Sequence, residues 1–249
     1  RPIVMINILD IVKVFAPSAV AFFIGILITP ILTHYLYKHE MWKKRSGKVA
    51  PDGGATPIFN QLHKERDVGT PRFGGVIIWV SALLTIIIFS VVANIHPTPV
   101  TEKLAFLSRN QTWLPIFTLV VASLIGLFDD WLEVSGRGKY IAGGLSFRKR
   151  LILVTLLGLV GALWFYFKLD QSSISIPFDG ELSLGWLIIP AFVLVMIFLF
   201  SSSVIDGIDG LAGGVMAIIF AAYAGIAFFQ NQIDLAAFCA VVTGGILAF

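Results

Sequence analysis

Two clusters of aspartates carry the residue types and spacing that could do chemistry in this chain. Asp129 and Asp130 are adjacent, at the end of an apolar stretch, with no Lys or Arg next to them. Asp206 and Asp209 stand three apart in VIDGIDGLAGG, a spacing that puts both side chains on one face of a helical turn. An aspartate pair that ends a helix meets the negative end of the helix dipole, so a bound cation would stabilise it there.

The expected cation is Mg²⁺. It is a hard ion that binds one or two carboxylates and fills its remaining positions with water and substrate phosphates. The chain has a single cysteine, and no Cys or paired His lies near either cluster, so Zn²⁺ is the poorer candidate. A carrier that binds cations at its carboxylates is the rival interpretation. Such sites lie near the bilayer midplane, whereas these clusters fall at span ends.

A third feature is the stretch VGTPRFGGVIIW, residues 68–79. Its glycines and proline predict an irregular backbone just before an apolar helix begins. Backbone N–H groups at a helix N-terminus suit anions, and Arg72 adds a fixed positive charge. A simple junction between a loop and a helix is the alternative.

The elements that must position these residues are membrane helices. The chain of 249 residues is 57% hydrophobic and 13% charged, with a mean hydropathy of +0.89. A soluble domain is about 25% charged, and a bilayer-spanning helix needs about 20 apolar residues. We therefore expect an all-α polytopic membrane protein. The predicted spans are roughly 17–37, 74–94, 113–128, 150–168, 185–203, 210–229 and 233–249, with residues 1–16 a lip helix or the tail of an earlier span.

Basic residues predict the orientation. Thirteen of the 18 Lys and Arg residues lie in two segments, 38–73 and 129–150, and the positive-inside rule makes that face cytoplasmic. Both aspartate clusters come out on the same face. Membrane orientation therefore explains the excess of basic residues, and no nucleic-acid partner is needed to account for it. On the opposite face, residues 169–184 are expected to form a short β-hairpin that turns at Asp179–Gly180. The chain begins without Met and stops inside an apolar run, so we expect one transmembrane domain, 1–249, cut from a longer protein.

Four motifs in this order resemble the polyprenyl-phosphate N-acetylhexosamine-1-phosphate transferases: GTPRFGG, GLFDDWLEV, GGLSFRKRLIL and VIDGIDGLAGG. Within that family the chain is most similar to the branch that makes lipid I. The resemblance covers about residues 17–249 and implies a ten-helix fold, of which about seven helices lie in this chain. It also implies Mg²⁺, a UDP-activated amino sugar, undecaprenyl phosphate, the bacterial plasma membrane, a cytoplasmic active site and a possible homodimer.

The resemblance assigns roles by position. Catalytic roles fall to Asp129, Asp130, Asp206 and Asp209, and metal binding to Asp206 with Asp209 or Asp130. The expected substrate-binding positions are Lys64, Thr70, Pro71, Arg72, Gly74, Gly75, Arg150 and Ser203. Phe73 stands where the family's loop has Met, and Arg150 where it usually has Lys.

Four positions depart from the family pattern. Glu133 and Asp67 stand where the family has lysines, and Ser203 and Phe200 stand where it has asparagines. Lys64 or Arg66 could replace the lysine missing at 67. These changes remove positive charge and amide hydrogen bonding from the expected phosphate site. The expected reaction is transfer of phospho-N-acetylmuramoyl-pentapeptide to the lipid phosphate, with UMP released. Transfer of GlcNAc-1-phosphate and an inactive relative remain the alternatives.

Overall fold

The computed structural model describes residues 7–42, 69–106, 110–136, 144–176, 180–201 and 210–249 of the chain. These residues are mostly helical, with one small β-hairpin, as the sequence predicts. The helices are α1 Ile8–Lys38, α2 Val76–Ile95, α3 Pro99–Leu104, α4 Asn110–Ser135, α5 Phe147–Lys168, α6 Ile188–Ser201, α7 Leu211–Phe229 and α8 Ile233–Leu247; the strands are β1 Ser173–Ile176 and β2 Gly180–Ser183.

Five of these helices are long and apolar enough to cross a membrane: α1, α2, α4, α5 and α7. Two shorter apolar helices, α6 and α8, add to them. Large apolar side chains on these helices are exposed, such as Phe23, Phe198 and Ile218. Exposed apolar surface on this scale fits a lipid environment rather than water. The fold is therefore that of a multi-pass membrane protein.

The chain divides into two compact units. The first comprises residues 1–43, 69–113 and 208–249, and its centre is the contact of α1, α2 and α8. Glycines allow this close packing, because a Cβ at Gly244 would collide with the carbonyl oxygen of Ser18, and one at Gly245 would lie 2.9 Å from that of Ile78. The Ser18 hydroxyl also donates to the carbonyl oxygen of Ala240 at 2.7 Å. Small residues at a helix contact allow backbones to approach in this way.

The second unit comprises residues 44–68 and 114–207. Helices α5 and α6 pack on each other, with the rings of Phe165 and Phe192 at a centroid distance of 5.2 Å. The predicted hairpin is confirmed: β1 and β2 are antiparallel, with Ser173 opposite Ser183 and Ile176 opposite Gly180. The expected turn at Asp179 lies outside the described residues.

Two helix boundaries differ from the sequence-based expectation. Helix α1 starts at Ile8, after Asn7 accepts a hydrogen bond from the N–H of Leu9, so residues 8–16 continue the first span rather than form a separate lip helix. Helix α4 runs on to Ser135. Asp129 and Asp130 therefore lie inside the last turns of α4, not at its end. Hydropathy alone marks where apolar residues stop, whereas the helix continues through a polar turn.

Candidate active site

Asp129 is held at both carboxylate oxygens. Its Oδ1 accepts the N–H of Leu145 at 2.5 Å, and its Oδ2 lies 2.6 Å from Nη2 of Arg150. The Asp129 side chain is 15% exposed and that of Arg150 is 38% exposed. Each carboxylate oxygen has a second lone pair, so these two contacts leave Asp129 with acceptor capacity. The structure thus brings together two residues that the sequence assigned to the site.

The start of α5 explains why Arg150 benefits from an anionic partner. The first turn of α5 contains Arg148, Lys149 and Arg150 and no acidic residue, although a helix N-terminus disfavours cations. Asp129 lies six residues before the end of α4, beyond the last turn, where a helix dipole acts most strongly. Pairing with Asp129 offsets the unfavourable position of Arg150. Asp129 therefore has a cationic partner within the chain.

Gly144 makes this arrangement possible. A Cβ at residue 144 would lie 2.8 Å from Oδ1 of Asp129, 3.0 Å from Nη2 of Arg150 and 3.1 Å from Oε1 of Glu133. Three charged groups therefore converge on one point that only a glycine leaves open. Two of them are acids, so the guanidinium of Arg150 is flanked by negative charge. Glu133 is the position where the resemblance led us to expect a lysine.

Asp129, Glu133 and Arg150 form a charged corner, and an aromatic contact lies next to it. The ring of Phe147, in the first turn of α5, is 6.1 Å from the ring of Phe200 near the end of α6. Phe200 stands where the family has an asparagine, and its side chain serves helix packing here. The contact ties the end of α6 to the turn that carries Arg150. Residues 202–209 follow directly.

The loop that leads into α2 belongs to the first unit and is anchored on the end of α1. The N–H of Arg72 donates to the carbonyl oxygen of Met41 at 2.8 Å, and Pro71 forms a β-bridge with Trp42. On its other side, a Cβ at Gly74 would lie 2.6 Å from the ring of Phe249. Thr70 is exposed. The loop is thus fixed at its backbone while this threonine faces outward.

Phe73 has an unusual backbone in the middle of this loop. Its φ is +71°, in the left-handed region, yet the residue is only 8% exposed. That conformation costs a non-glycine residue on the order of 1–3 kcal/mol. Burial of an apolar ring of this size contributes about 1.5–3 kcal/mol, which is enough to offset the strain.

The N-terminus of α2 comes immediately after Phe73. Gly75 is the exposed N-cap, and no side-chain capping bond to it is seen among the described residues. Val76 donates its N–H to the carbonyl oxygen of Phe73 at 3.1 Å. This is the helix N-terminus for which the sequence predicted an anion, and Gly74 and Gly75 are the two residues that lead into it.

Several expected site residues lie outside the described residues: Lys64, Ser203, Asp206 and Asp209. Asp130 is described and half-buried, one residue from Asp129 in α4. In the described ranges, no three His, Cys, Asp or Glu side chains form a group that could hold a metal. Two of the three expected metal ligands are not among the residues searched, so the metal assignment stays a prediction.

A second charged cluster lies in the first unit. Lys13 is 6% exposed, forms an ion pair with Asp234 at the start of α8, and donates to the carbonyl oxygen of Ala105 at 3.4 Å. Lys103 pairs with Asp10 at 2.8 Å, and these groups line a cleft of about 370 Å³. At a rise of 1.5 Å per residue, α1 separates Lys13 from Met41 by about 40 Å. This cluster is therefore remote from the loop at 69–75.

Sequence reasoning missed the roles of Gly144 and Phe73. Gly144 belongs to the motif GGLSFRKRLIL, where a glycine beside a basic helix turn indicates that other groups approach its backbone closely. Phe73 gave no such signal, because a phenylalanine in a loop ordinarily has a negative φ. Only the backbone geometry reveals it.

Comparison with known proteins gives a family match. Residues 112–249 match the model of glycosyl transferase family 4, which is more than half of the chain. That range contains both aspartate clusters and Arg150.

Individual relatives cover most of the chain. The phospho-N-acetylmuramoyl-pentapeptide-transferase of Listeria innocua is 31% identical over 93% of this chain and 64% of its own length. The protein of the same name from Chloroflexus aggregans is 28% identical over 96% of this chain and 60% of its own length. The chain thus spans less than two thirds of the curated relatives it matches.

Proposed function

Because the chain belongs to glycosyl transferase family 4, we propose that it comes from an enzyme that makes lipid I. The reaction transfers phospho-N-acetylmuramoyl-pentapeptide from its UDP donor to undecaprenyl phosphate and releases UMP. The relatives at 28–31% identity carry the name of that activity. The chain covers 60–64% of their length, so the reaction belongs to the whole protein, of which this chain supplies the residues discussed here.

The observation that carries the proposal is the charged corner of the second unit. Asp129 and Arg150 are paired there, and the Phe147–Phe200 contact brings the end of α6 to the same turn. Asp206 follows Phe200 by six residues. We propose from the family resemblance that the two acidic motifs share one phosphate site.

The chemistry is displacement at phosphorus. An oxygen of the lipid phosphate attacks the β-phosphorus of the UDP-sugar, the bond between that phosphorus and the bridging oxygen breaks, and UMP departs with the electron pair. Such transfers depend mostly on positioning and electrostatic stabilisation. Asp129 or Asp130 accepts any proton that the attacking phosphate carries. Arg150, which pairs with Asp129, binds phosphate oxygens.

Asp206, with Asp209 or Asp130, would hold Mg²⁺. All of these donors are carboxylate oxygens, the ligand type that suits a hard cation, and the half-buried Asp130 fits that set. The ion would neutralise charge on the phosphates. Three carboxylates near a diphosphate are otherwise repulsive, so the donor set itself calls for a cation.

The family resemblance leads us to propose that the remaining expected positions bind the UDP donor. We assign the donor phosphates to the loop of Thr70, Pro71, Arg72, Gly74 and Gly75, aided by Lys64 and Ser203. The basic segments favour a cytoplasmic location for this face, where the soluble nucleotide donor is found. The apolar helices give the lipid acceptor access from the leaflet.

The test is release of UMP by the purified full-length protein with undecaprenyl phosphate and Mg²⁺. UDP-MurNAc-pentapeptide and UDP-GlcNAc are supplied in separate reactions, because VIDGIDGL also resembles the GlcNAc-1-phosphate branch. We expect a product with the first donor that EDTA and Asp206→Asn each abolish. Activity with UDP-GlcNAc alone would assign the other donor, and no UMP from either would reject the enzyme assignment.

A further inference from the structure

The buried, left-handed Phe73 stands at a critical place in the loop. On its N-terminal side, Arg72 is bonded through its N–H to Met41. On its C-terminal side, the carbonyl oxygen of Phe73 itself accepts the first-turn N–H of Val76. A change of φ at residue 73 therefore rotates the Thr70–Arg72 segment relative to α2.

The strain is specific to this residue, since glycine would adopt the same backbone freely. Gly74 and Gly75 follow directly, yet the left-handed φ falls on Phe73. The side chain that imposes this strain is buried. A strained backbone persists only where surrounding contacts determine it, and such residues cluster at functional sites.

We propose that Phe73 is a positioning residue for the donor phosphates, a role that rests on the proposed function. Its buried ring holds φ at +71°, and this fixes Thr70 and Arg72 against the N-terminus of α2. The ring does not touch the donor. It sets the geometry of the groups that do.

Three substitutions separate the effect of the buried Phe73 ring from the effect of the strained backbone at this residue. Phe73→Met keeps a large apolar side chain, Phe73→Ala removes the ring but keeps the Cβ that makes a positive φ costly, and Phe73→Gly removes both the ring and that cost. The matched control is Asn231→Gly, which relieves a left-handed residue (φ +60°) at the exposed turn between α7 and α8. That turn adjoins the cleft of Lys13, far from the loop.

The first readout is hydrogen exchange in the full-length protein without substrate. We expect the Arg72 amide to exchange at least tenfold faster in the Ala and Gly variants, and at the wild-type rate in Phe73→Met and Asn231→Gly. The second readout is steady-state UMP release. Phe73→Ala and Phe73→Gly should raise KM for the UDP donor about tenfold, leave KM for undecaprenyl phosphate within twofold, and change kcat little.

The outcomes are distinguishable from failure of the proposed function. Wild-type Arg72 protection and donor KM in both the Ala and Gly variants would overturn the positioning role. An equal rise in KM for both substrates, together with a lowered Tm, would also overturn it, because that pattern indicates general destabilisation. A wild-type protein that releases no UMP rejects the enzyme assignment, while the exchange rates still decide whether Phe73 fixes the loop.

Discussion

Nη2 of Arg150 lies 2.6 Å from Oδ2 of Asp129, and the N–H of Leu145 occupies the other oxygen of the same carboxylate. One aspartate of the conspicuous pair is thus committed to joining α4 to the start of α5. The adjacent Asp130 belongs to the same helix turn, but its side chain leaves the helix in a different direction. The two carboxylates therefore have different surroundings and are expected to differ in role.

Removal of the Arg150 charge should impair both stability and activity. Arg150→Met leaves Asp129 with the Leu145 bond alone. We expect a loss of about 1–2 kcal/mol in unfolding free energy, because a charged hydrogen bond is lost but water screens a side chain that is 38% exposed. UMP release should fall at least tenfold, since the phosphate also loses a cation.

The control is Arg150→Lys, which restores the residue usual in the family and should keep most of the activity. Thermal unfolding in detergent and initial rates measure the two effects separately. An Arg150→Met protein with normal kcat and KM would show that the guanidinium serves only to join the helices.

Gly144→Ala should disrupt the same corner without changing any charge. The added Cβ would lie 2.8 Å from Oδ1 of Asp129, so this carboxylate must shift, which strains its contacts with Leu145 and Arg150. We expect a fall in Tm and about a tenfold loss of UMP release. Gly126→Ala is the matched control, because a Cβ at that glycine of α4 meets nothing within 4 Å and alanine favours a helix. Similar losses in both variants would argue against a special role for Gly144.

More of the fold than of the site could be predicted from the sequence. Span positions and the hairpin follow from hydropathy and turn residues, which are local properties. The Asp129–Arg150 pair joins residues 21 apart on separate helices, and no local pattern specifies it. From the sequence, the aspartates at an expected helix end indicated a bound cation, and Arg150 was assigned separately to substrate binding. Phe73 was beyond sequence reasoning, because its φ depends on where its ring is buried.

Glu133 offers a gain-of-function test. Its Oε1 lies near the same point as Nη2 of Arg150, so it would weaken the positive field for a phosphate bound by Arg150 as proposed. A unit charge several ångströms from a phosphate changes its energy by on the order of 1–2 kcal/mol at a typical effective dielectric. Glu133→Lys should therefore lower KM for the UDP donor about tenfold.

Glu133→Gln is the intermediate control and should give part of the gain. Donor titrations at fixed undecaprenyl phosphate measure the effect, and its size should shrink as salt rises. A higher KM in the lysine variant would mean that Glu133 supports Arg150 rather than opposing the donor.

The remote ion pair of Lys13 and Asp234 should matter for stability and not for catalysis. Both side chains are nearly buried, and removal of one partner from a buried pair costs about 3–5 kcal/mol because the other charge is left uncompensated. We expect Lys13→Met and Asp234→Asn each to lower Tm strongly. The double variant should be less destabilised than the sum of the two.

The Lys103–Asp10 pair in the same cleft is the matched control. Lys103 is 34% exposed, so Asp10→Asn should cost no more than about 1 kcal/mol. The cluster is about 40 Å along α1 from the loop at 69–75. The KM for the UDP donor in folded Lys13→Met protein should therefore equal that of the wild type, and a change in that KM would reveal coupling between the two ends of α1.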